Sequence, residues 1–267
     1  MTEQRISPAR RVRRGRSAAV GALGALALAA ALAPTAVAAE AGPAVVGGHD
    51  ATEEYPFMVS LQQQGQHFCG GSLIRPDWVV TAAHCAAAVE PEDVTTRIGS
   101  GDRTTGGAET GVAELVVHPG YDQAAPGDDV ALVRLDRPVE QQPISLAADS
   151  GAPGDPTRII GWGVTCDDRE QCPELPTRLQ ELDTELVADD RCADFDGATE
   201  LCTDSPTENA QGCNGDSGGP QLKGEPGRWE LIGATSRDGD ESPICGTGPG
   251  IWTDVTAYAD WIDQTTS

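Results

Sequence analysis

The chain is 267 residues long, enough for one or two domains with a buried core, and carries 18 basic against 42 acidic side chains for a formal net charge of −24. Phosphate binding and adhesion to anionic lipid both need a basic face, so nucleic acid and an anionic membrane surface are excluded as partners. The acidic surplus reads as a solvated, self-repelling surface.

The chain starts differently from the way it continues. Arg5, Arg10, Arg11, Arg13, Arg14 and Arg16 precede an uninterrupted run of Ala, Val, Leu and Gly from Ala18 to Ala33, and Pro34 then leads into the small residues Ala36-Val37-Ala38-Ala39. Basic, apolar, then small is the order of a secretory signal peptide. The apolar run has 16 residues, short of the ~20 that cross a bilayer. Residues 1–39 are therefore expected to be a cleaved signal, leaving no stable membrane anchor and a secreted, extracellular product.

All eight cysteines follow this segment: Cys69, Cys85, Cys166, Cys172, Cys192, Cys202, Cys213 and Cys245. An even number in an exported chain argues for disulfides, because the destination is oxidising. No C-x-x-C pair speaks for zinc. Spacing by itself leaves the pairing open.

From Val45 onward the pattern predicts an all-β protein. Short apolar runs recur at Phe57–Leu61, Ser72–Ile74, Trp78–Ala82, Leu115–Val117, Val130–Leu135, Arg158–Trp162, Trp229–Gly233 and Gly250–Trp252. Turn-forming Gly, Pro and Asp clusters separate them. Such a pattern suits a barrel or a sandwich and does not choose between them. The Pro/Gly-rich stretch Gly151–Pro156 is the best candidate for a crossing between two halves. Near the end, apolar residues at 255, 258, 259 and 262 have the spacing of a one-faced helix, with Thr253 or Asp254 as its cap.

Three short segments carry chemistry. In Gly215-Asp216-Ser217-Gly218-Gly219-Pro220 a serine stands on a glycine-rich turn, where its oxygen is exposed and backbone N–H groups can point at a reacting carbonyl. In Thr81-Ala82-Ala83-His84-Cys85 a histidine is followed directly by a cysteine, so a disulfide would fix the backbone that carries the imidazole. His49, His67 and His118 have no such context and are read as structural. In Asp128-Asp129-Val130-Ala131-Leu132-Val133 an acid stands immediately before an apolar strand.

Together, in the order His, Asp, Ser, these segments resemble the chymotrypsin/trypsin family of serine peptidases. The likeness runs through the mature chain, with Val45-Val46-Gly47-Gly48 similar to the family's mature N-terminus and Gly161-Trp162-Gly163 and Pro249-Gly250-Ile251-Trp252 similar to its later strands. The resemblance implies two antiparallel six-stranded β-barrels packed together, with a C-terminal α-helix. It divides the chain into a signal peptide (1–39), a short propeptide (40–44) and a peptidase domain (45–267). It implies that Ser217 attacks the scissile carbonyl, His84 takes and returns the proton, and Asp129 orients the imidazole, the roles of the Ser-His-Asp template. Asp129 is preferred to Asp128 because the family's acid stands directly before the Val-Ala-Leu strand. Gly215 and Ser217 would supply the oxyanion-hole N–H groups, and the freed amine of Val45 would pair with Asp216. Disulfides Cys69–Cys85, Cys192–Cys202 and Cys213–Cys245 carry over, and Cys166 and Cys172 are left to pair with each other.

The family also implies protein or peptide substrates and proteinaceous inhibitors as partners, with no cofactor and no metal. Gln211 is implied at the base of the primary specificity pocket, with Gly212, Thr235, Ser236 and Gly250 around it. An amide there predicts preference for polar uncharged or medium apolar residues. Asp238, Asp240 and Glu241 are rival carriers of a basic specificity. The family usually has a tryptophan and a glycine after the serine that opens the substrate-binding strand; here Ser236 is followed by Arg237 and Asp238, and the stretch to Cys245 is longer than usual. Two rival functions differ in class. A catalytically silent binding protein of the same fold usually lacks a triad residue, and none is lost here. A hydrolase of another fold with a G-x-S-x-G elbow needs a histidine after its serine, and none follows His118.

Overall fold

The computed structural model describes residues 45–125, 127–166, 174–240, 242 and 244–267. The expected signal and propeptide, Cys172 and Glu241 lie outside the described residues.

Six strands close the first barrel: β2 (Met58–Gln63), β3 (Gln66–Arg75), β4 (Trp78–Thr81), β5 (Val94–Ile98), β6 (Ala108–Val117) and β7 (Ala131–Leu135), in the order β2-β3-β4-β7-β6-β5. All pairings are antiparallel, and β5 returns to β2 with Val59 opposite Ile98. The interior is apolar: Val59, Leu73, Val79, Ile98, Leu132 and Val133 are wholly buried. Each such side chain contributes about 1.5–3 kcal/mol relative to exposure.

The second barrel is built from β8 (Pro156–Gly161), β9 (Gln180–Leu186), β10 (Glu200–Asp204), β11 (Pro220–Glu225), β12 (Arg228–Asp238) and β13 (Gly250–Asp254). The order β9-β10-β13-β12-β11-β8 closes through a β8–β9 ladder, and the two-residue β1 (His49–Asp50) pairs with β9 outside the ring. Its interior is partly polar. The Thr157 and Thr184 hydroxyls bond at 2.7 Å, and Gln221 Nε2 donates to Thr203 Oγ1 at 2.6 Å. Glu181, 1% exposed, accepts from the hydroxyls of Thr52 and Tyr55 at 2.6 Å each and faces Arg158 at 3.2 Å. These charged and hydroxyl residues broke the apolar pattern, so β9 and β10 left no apolar run in the sequence; β5 and β11 were missed as well.

The crossing between the barrels runs from 136 to 155 and takes in the Gly151–Pro156 stretch except for Pro156, which opens β8. It is tied to β12 by Leu231 N–H to Ser145 O (2.9 Å) and Ala147 N–H to Leu231 O (3.0 Å). At the C-terminus the periodic segment divides into a 3-10 turn, Val255–Tyr258, and the helix α2, Ala259–Thr265; α1 is the single turn Ala83–Ala86. Asp254 is the cap of the 3-10 turn, accepting from Thr256 N–H at 2.9 Å, and Val255, Tyr258 and Ile262 are buried.

Three disulfides join Cys69 to Cys85, Cys192 to Cys202 and Cys213 to Cys245. Cys166 is disulfide-bonded too. The Cys69–Cys85 link spans a sequence separation of 16 and ties β3 to α1. Loop closure of that size contributes about 3 kcal/mol in the chain-entropy model. Replacing both cysteines by alanine is expected to lower urea-unfolding stability by about 2–3 kcal/mol. Unchanged unfolding stability in the double-alanine protein would contradict that expectation.

Candidate active site

Strand pairing brings the first two candidate residues together. β4 and β7 run side by side with Thr81 opposite Ala131, so α1, just after β4, lies beside Asp129, just before β7. The chain reaches Asp129 through Gly127 (φ +84°) and Asp128 (φ +55°), a left-handed turn. Asp129 is 7% exposed. Its Oδ1 accepts from the His84 backbone N–H at 2.9 Å, and its Oδ2 lies 2.8 Å from His84 Nδ1 and accepts from Ser236 Oγ at 2.6 Å. Thr253 Oγ1 donates to its main-chain oxygen at 2.9 Å. Burial by itself would raise this carboxyl; the hydrogen bond and charge of His84, with the Ser236 hydroxyl, outweigh it and hold the group below the usual carboxylate range. Asp128 points elsewhere, taking the Tyr258 hydroxyl at 2.9 Å and lying 3.1 Å from His118.

Ser217 belongs to the turn from Cys213 to Gly219. Gly218 has φ +73°, and a Cβ there would come 2.1 Å from Thr81 Oγ1, so only glycine fits against the first barrel. Gly70 N–H donates to Ser217 O at 2.7 Å, and Gly218 N–H donates to Thr235 O at 2.8 Å, holding the turn from both sides. Val164 N–H occupies the carbonyl of Asn214 at 2.9 Å, which turns the Gly215 N–H of that trans peptide the opposite way.

His67, read from the sequence as structural, lies directly behind this turn. Burial pushes its imidazole down to about 4. The neutral ring donates from Nε2 to Gly215 O (2.8 Å), so Nδ1 accepts from Ser60 Oγ (2.8 Å). Gln62 Nε2 donates in turn to Ser60 Oγ at 3.0 Å. No local motif could have found His67, because its partner is 148 residues away in the chain.

Asp216 points inward. Gly163 N–H donates to its Oδ1 at 2.7 Å and Cys213 N–H to its Oδ2 at 3.0 Å. A Cβ on Gly161 or Gly163 would collide with the carboxylate, at 2.0 and 2.2 Å, which explains the Gly161-Trp162-Gly163 spacing. Asp216 has no salt-bridge partner among the described residues, and burial pushes its carboxyl up to about 6. Val45 is wholly buried, at φ +50°, and Val46 pairs with Gln211 in an antiparallel bridge.

Beside Ser217 opens a cavity of roughly 90 Å³ bordered by Gly212, Thr235, Ser236, Asp238 and Gly250. Gln211 is not among its lining residues. Its Nε2 donates to Thr203 O at 3.0 Å and its Oε1 accepts from Gly212 N–H at 3.1 Å, so the amide is spent within the wall. Asp238 carries a carboxyl raised by burial and by neighbouring Asp240. Asp240 faces its own loop, accepting from Ser242 N–H at 2.9 Å and Thr247 Oγ1 at 3.2 Å. Among the described residues one group, Cys69, His84 and Cys85, is close enough to hold a metal, but its two sulfurs are joined to each other.

Two closed six-stranded barrels, with the serine turn of the second bonded to β3 of the first and a hydrogen-bonded His–Asp pair in that first barrel, define the double-barrel class of serine hydrolases. The family profile described as Trypsin matches residues 45–262. The chain is 36% identical over 227 residues to a trypsin of Saccharopolyspora erythraea, covering 81% of this chain and 95% of that one. It is 32% identical over 235 residues to trypsin epsilon of Drosophila erecta (83% and 87%) and 34% identical over 235 residues to a trypsin of Sarcophaga bullata (83% and 88%). The chain belongs to the trypsin family and is a serine endopeptidase.

The raised Asp216 carboxyl has a pH signature. A carboxyl that titrates higher folded than unfolded supports the fold fully below its unfolded value, near 3.8, and that support is lost as pH rises through about 6. With the residues before Val45 still attached, this group should cost about 2–3 kcal/mol between pH 4 and pH 7. Urea unfolding at both pH values checks this, and Asp216→Asn should flatten the slope. Equal slopes in the two proteins would contradict the assignment.

Proposed function

We propose that this endopeptidase is secreted and hydrolyses peptide bonds through His84, Asp129 and Ser217 by way of an acyl-enzyme. The observation that carries the reading is the carboxylate of Asp129, fixed on His84 by two hydrogen bonds while Ser217 borders the neighbouring cavity. Ser217 Oγ attacks the carbonyl, His84 accepts its proton and returns it to the leaving amine, and Asp129 keeps Nδ1–H bonded so that Nε2 is the basic nitrogen. Gly215 and Ser217 N–H groups stabilise the oxyanion, each contributing about 3–4 kcal/mol. The intact triad and the named trypsin relatives weigh against a silent binding protein.

Export by the signal at 1–39 and removal of 40–44 would free the amine of Val45. A buried carboxylate held by two N–H groups, with no cation beside it among the described residues, supports Asp216 as the partner of that amine. Ala44 precedes Val45, so the processing enzyme accepts small residues and is not trypsin-like. The partners are protein or peptide substrates and proteinaceous inhibitors.

For specificity, the spent amide of Gln211 supports an uncharged primary pocket. An unpaired buried cation costs about 3–5 kcal/mol, which disfavours Arg and Lys. One observation favours a second reading: Asp238 borders the cavity, and its carboxylate could receive a basic side chain at the mouth.

Ser217→Ala should lower kcat on a peptide ester by several orders of magnitude with unchanged unfolding, and a fluorophosphonate should label Ser217 alone. Near-normal turnover by the alanine variant would falsify the triad. A peptide series varying only the residue before the scissile bond should favour uncharged side chains. A hundredfold preference for Arg or Lys, abolished by Asp238→Asn, would transfer specificity to Asp238.

A further inference from the structure

We propose that half-exposed Arg237 and buried Glu200 form a clamp that positions Asp129 and the substrate-binding strand, making both positioning residues for peptide hydrolysis. The inference rests on the triad reading above.

Arg237 stands where the family usually has a tryptophan, immediately after Ser236. Its guanidinium forks onto Glu200: Nη1 bonds to Oε1, and Nη2 donates to Oε2 at 3.0 Å. Nη2 also donates to Asp194 O at 2.6 Å. The Glu200 side chain is 0% exposed. Its carboxylate takes two further donors, Gly127 N–H on Oε1 and Asp196 N–H on Oε2, both at 2.9 Å. Four donors on one carboxylate fill its lone-pair directions. The arginine fork supplies two of them, which a lysine could not do in that geometry.

The clamp holds both routes to Asp129. Gly127 is two residues before Asp129, at the start of the left-handed turn that delivers it. Arg237 is one residue after Ser236, whose hydroxyl donates to Asp129 Oδ2. Glu200 also faces Thr253 across the β10–β13 ladder, and Thr253 donates to Asp129 O. One buried carboxylate therefore fixes the turn before Asp129, the strand bonded to its side chain and the strand bonded to its main chain. An apolar tryptophan at 237 could offer Glu200 no such fork. A merely stabilising ion pair would need no link to Gly127, because any loop donor would fill that site.

The titratable groups around Asp129 are His84, Tyr121, Asp128 with its partners His118 and Tyr258, and, on the clamp's own segments, Asp194, Asp196 and Asp238. The test variants leave all of them in place. Glu200→Gln and Arg237→Gln, in the active enzyme, should each lower kcat for a peptide ester roughly ten- to a hundredfold, as small misplacements of reacting groups do. KM should change far less. A looser Asp129 stabilises the imidazolium less, so the acid limb of kcat/KM should move to lower pH. The double variant should be no slower than the worse single, as for residues acting as one unit. Glu200→Met with Arg237→Leu replaces the pair by apolar side chains and should restore unfolding stability but not kcat. Folded singles with wild-type kcat and acid limb, additive losses, or full turnover in the Met/Leu protein would each overturn the clamp. A wild type that a fluorophosphonate does not label at Ser217 would overturn the triad reading and the clamp together; a labelled wild type with unaltered variants overturns the clamp alone.

Discussion

The carboxylate of Asp129 is the point at which the two barrels meet chemically. It leaves the first barrel at the head of β7, yet it is bonded by Ser236 of the second as well as by His84 of the first, and Thr253 of the second bonds the main-chain oxygen of the same residue. A buried carboxylate without such donors would take up a proton or turn out to solvent. Donors from both barrels thus do two jobs at once. They keep the group ionised, and they fix the barrels against each other beside His84.

The same constraint recurs through the second barrel. Glu181 is held by Thr52, Tyr55 and Arg158, Glu200 by Arg237 and two backbone amides, and Asp216 by two backbone amides with no cation among the described residues. The first two are complete in themselves. The third is the exception, and burial leaves its carboxyl raised where the others are held by cations or several donors. An acid left this way is a stored electrostatic demand, and it lies next in sequence to the serine of the cleft. The clamp, in contrast, is static: every lone pair of Glu200 is already used.

What could be read from the sequence follows from how local each signal is. The glycines around Ser217, the cysteine after His84 and the acid before the Val-Ala-Leu strand are short-range patterns, legible without the fold; the hydrogen bonds between Asp129 and His84 join two of these segments. The strands β2, β4, β7, β8 and β13 carry continuous apolar faces and were visible. β9 and β10 were not, because Glu181, Thr184 and Glu200 point inward there and find partners only in the folded barrel. His67 is silent in the sequence for the same reason: its meaning depends on Gly215, far along the chain. Position alone points the amide of Gln211 to the pocket, whereas its hydrogen bonds turn it into the wall.

The bridge between Val46 and Gln211 adds a metric property to the N-terminus. It is a fixed pin, with Gln211 N–H on Val46 O at 2.9 Å, in the segment that leads through the pocket wall to the Ser217 turn. Chain length ahead of that pin is counted in whole residues of about 3.4 Å. A charge-assisted hydrogen bond accepts only a few tenths of an ångström of error around its ~2.8 Å optimum. An end one residue longer or shorter therefore overshoots or falls short by more than the bond can absorb. Under the activation proposed above, the bridge makes this segment a ruler with single-residue graduation, on which the position of a cut, rather than the identity of the residues removed, is what the buried acid would measure.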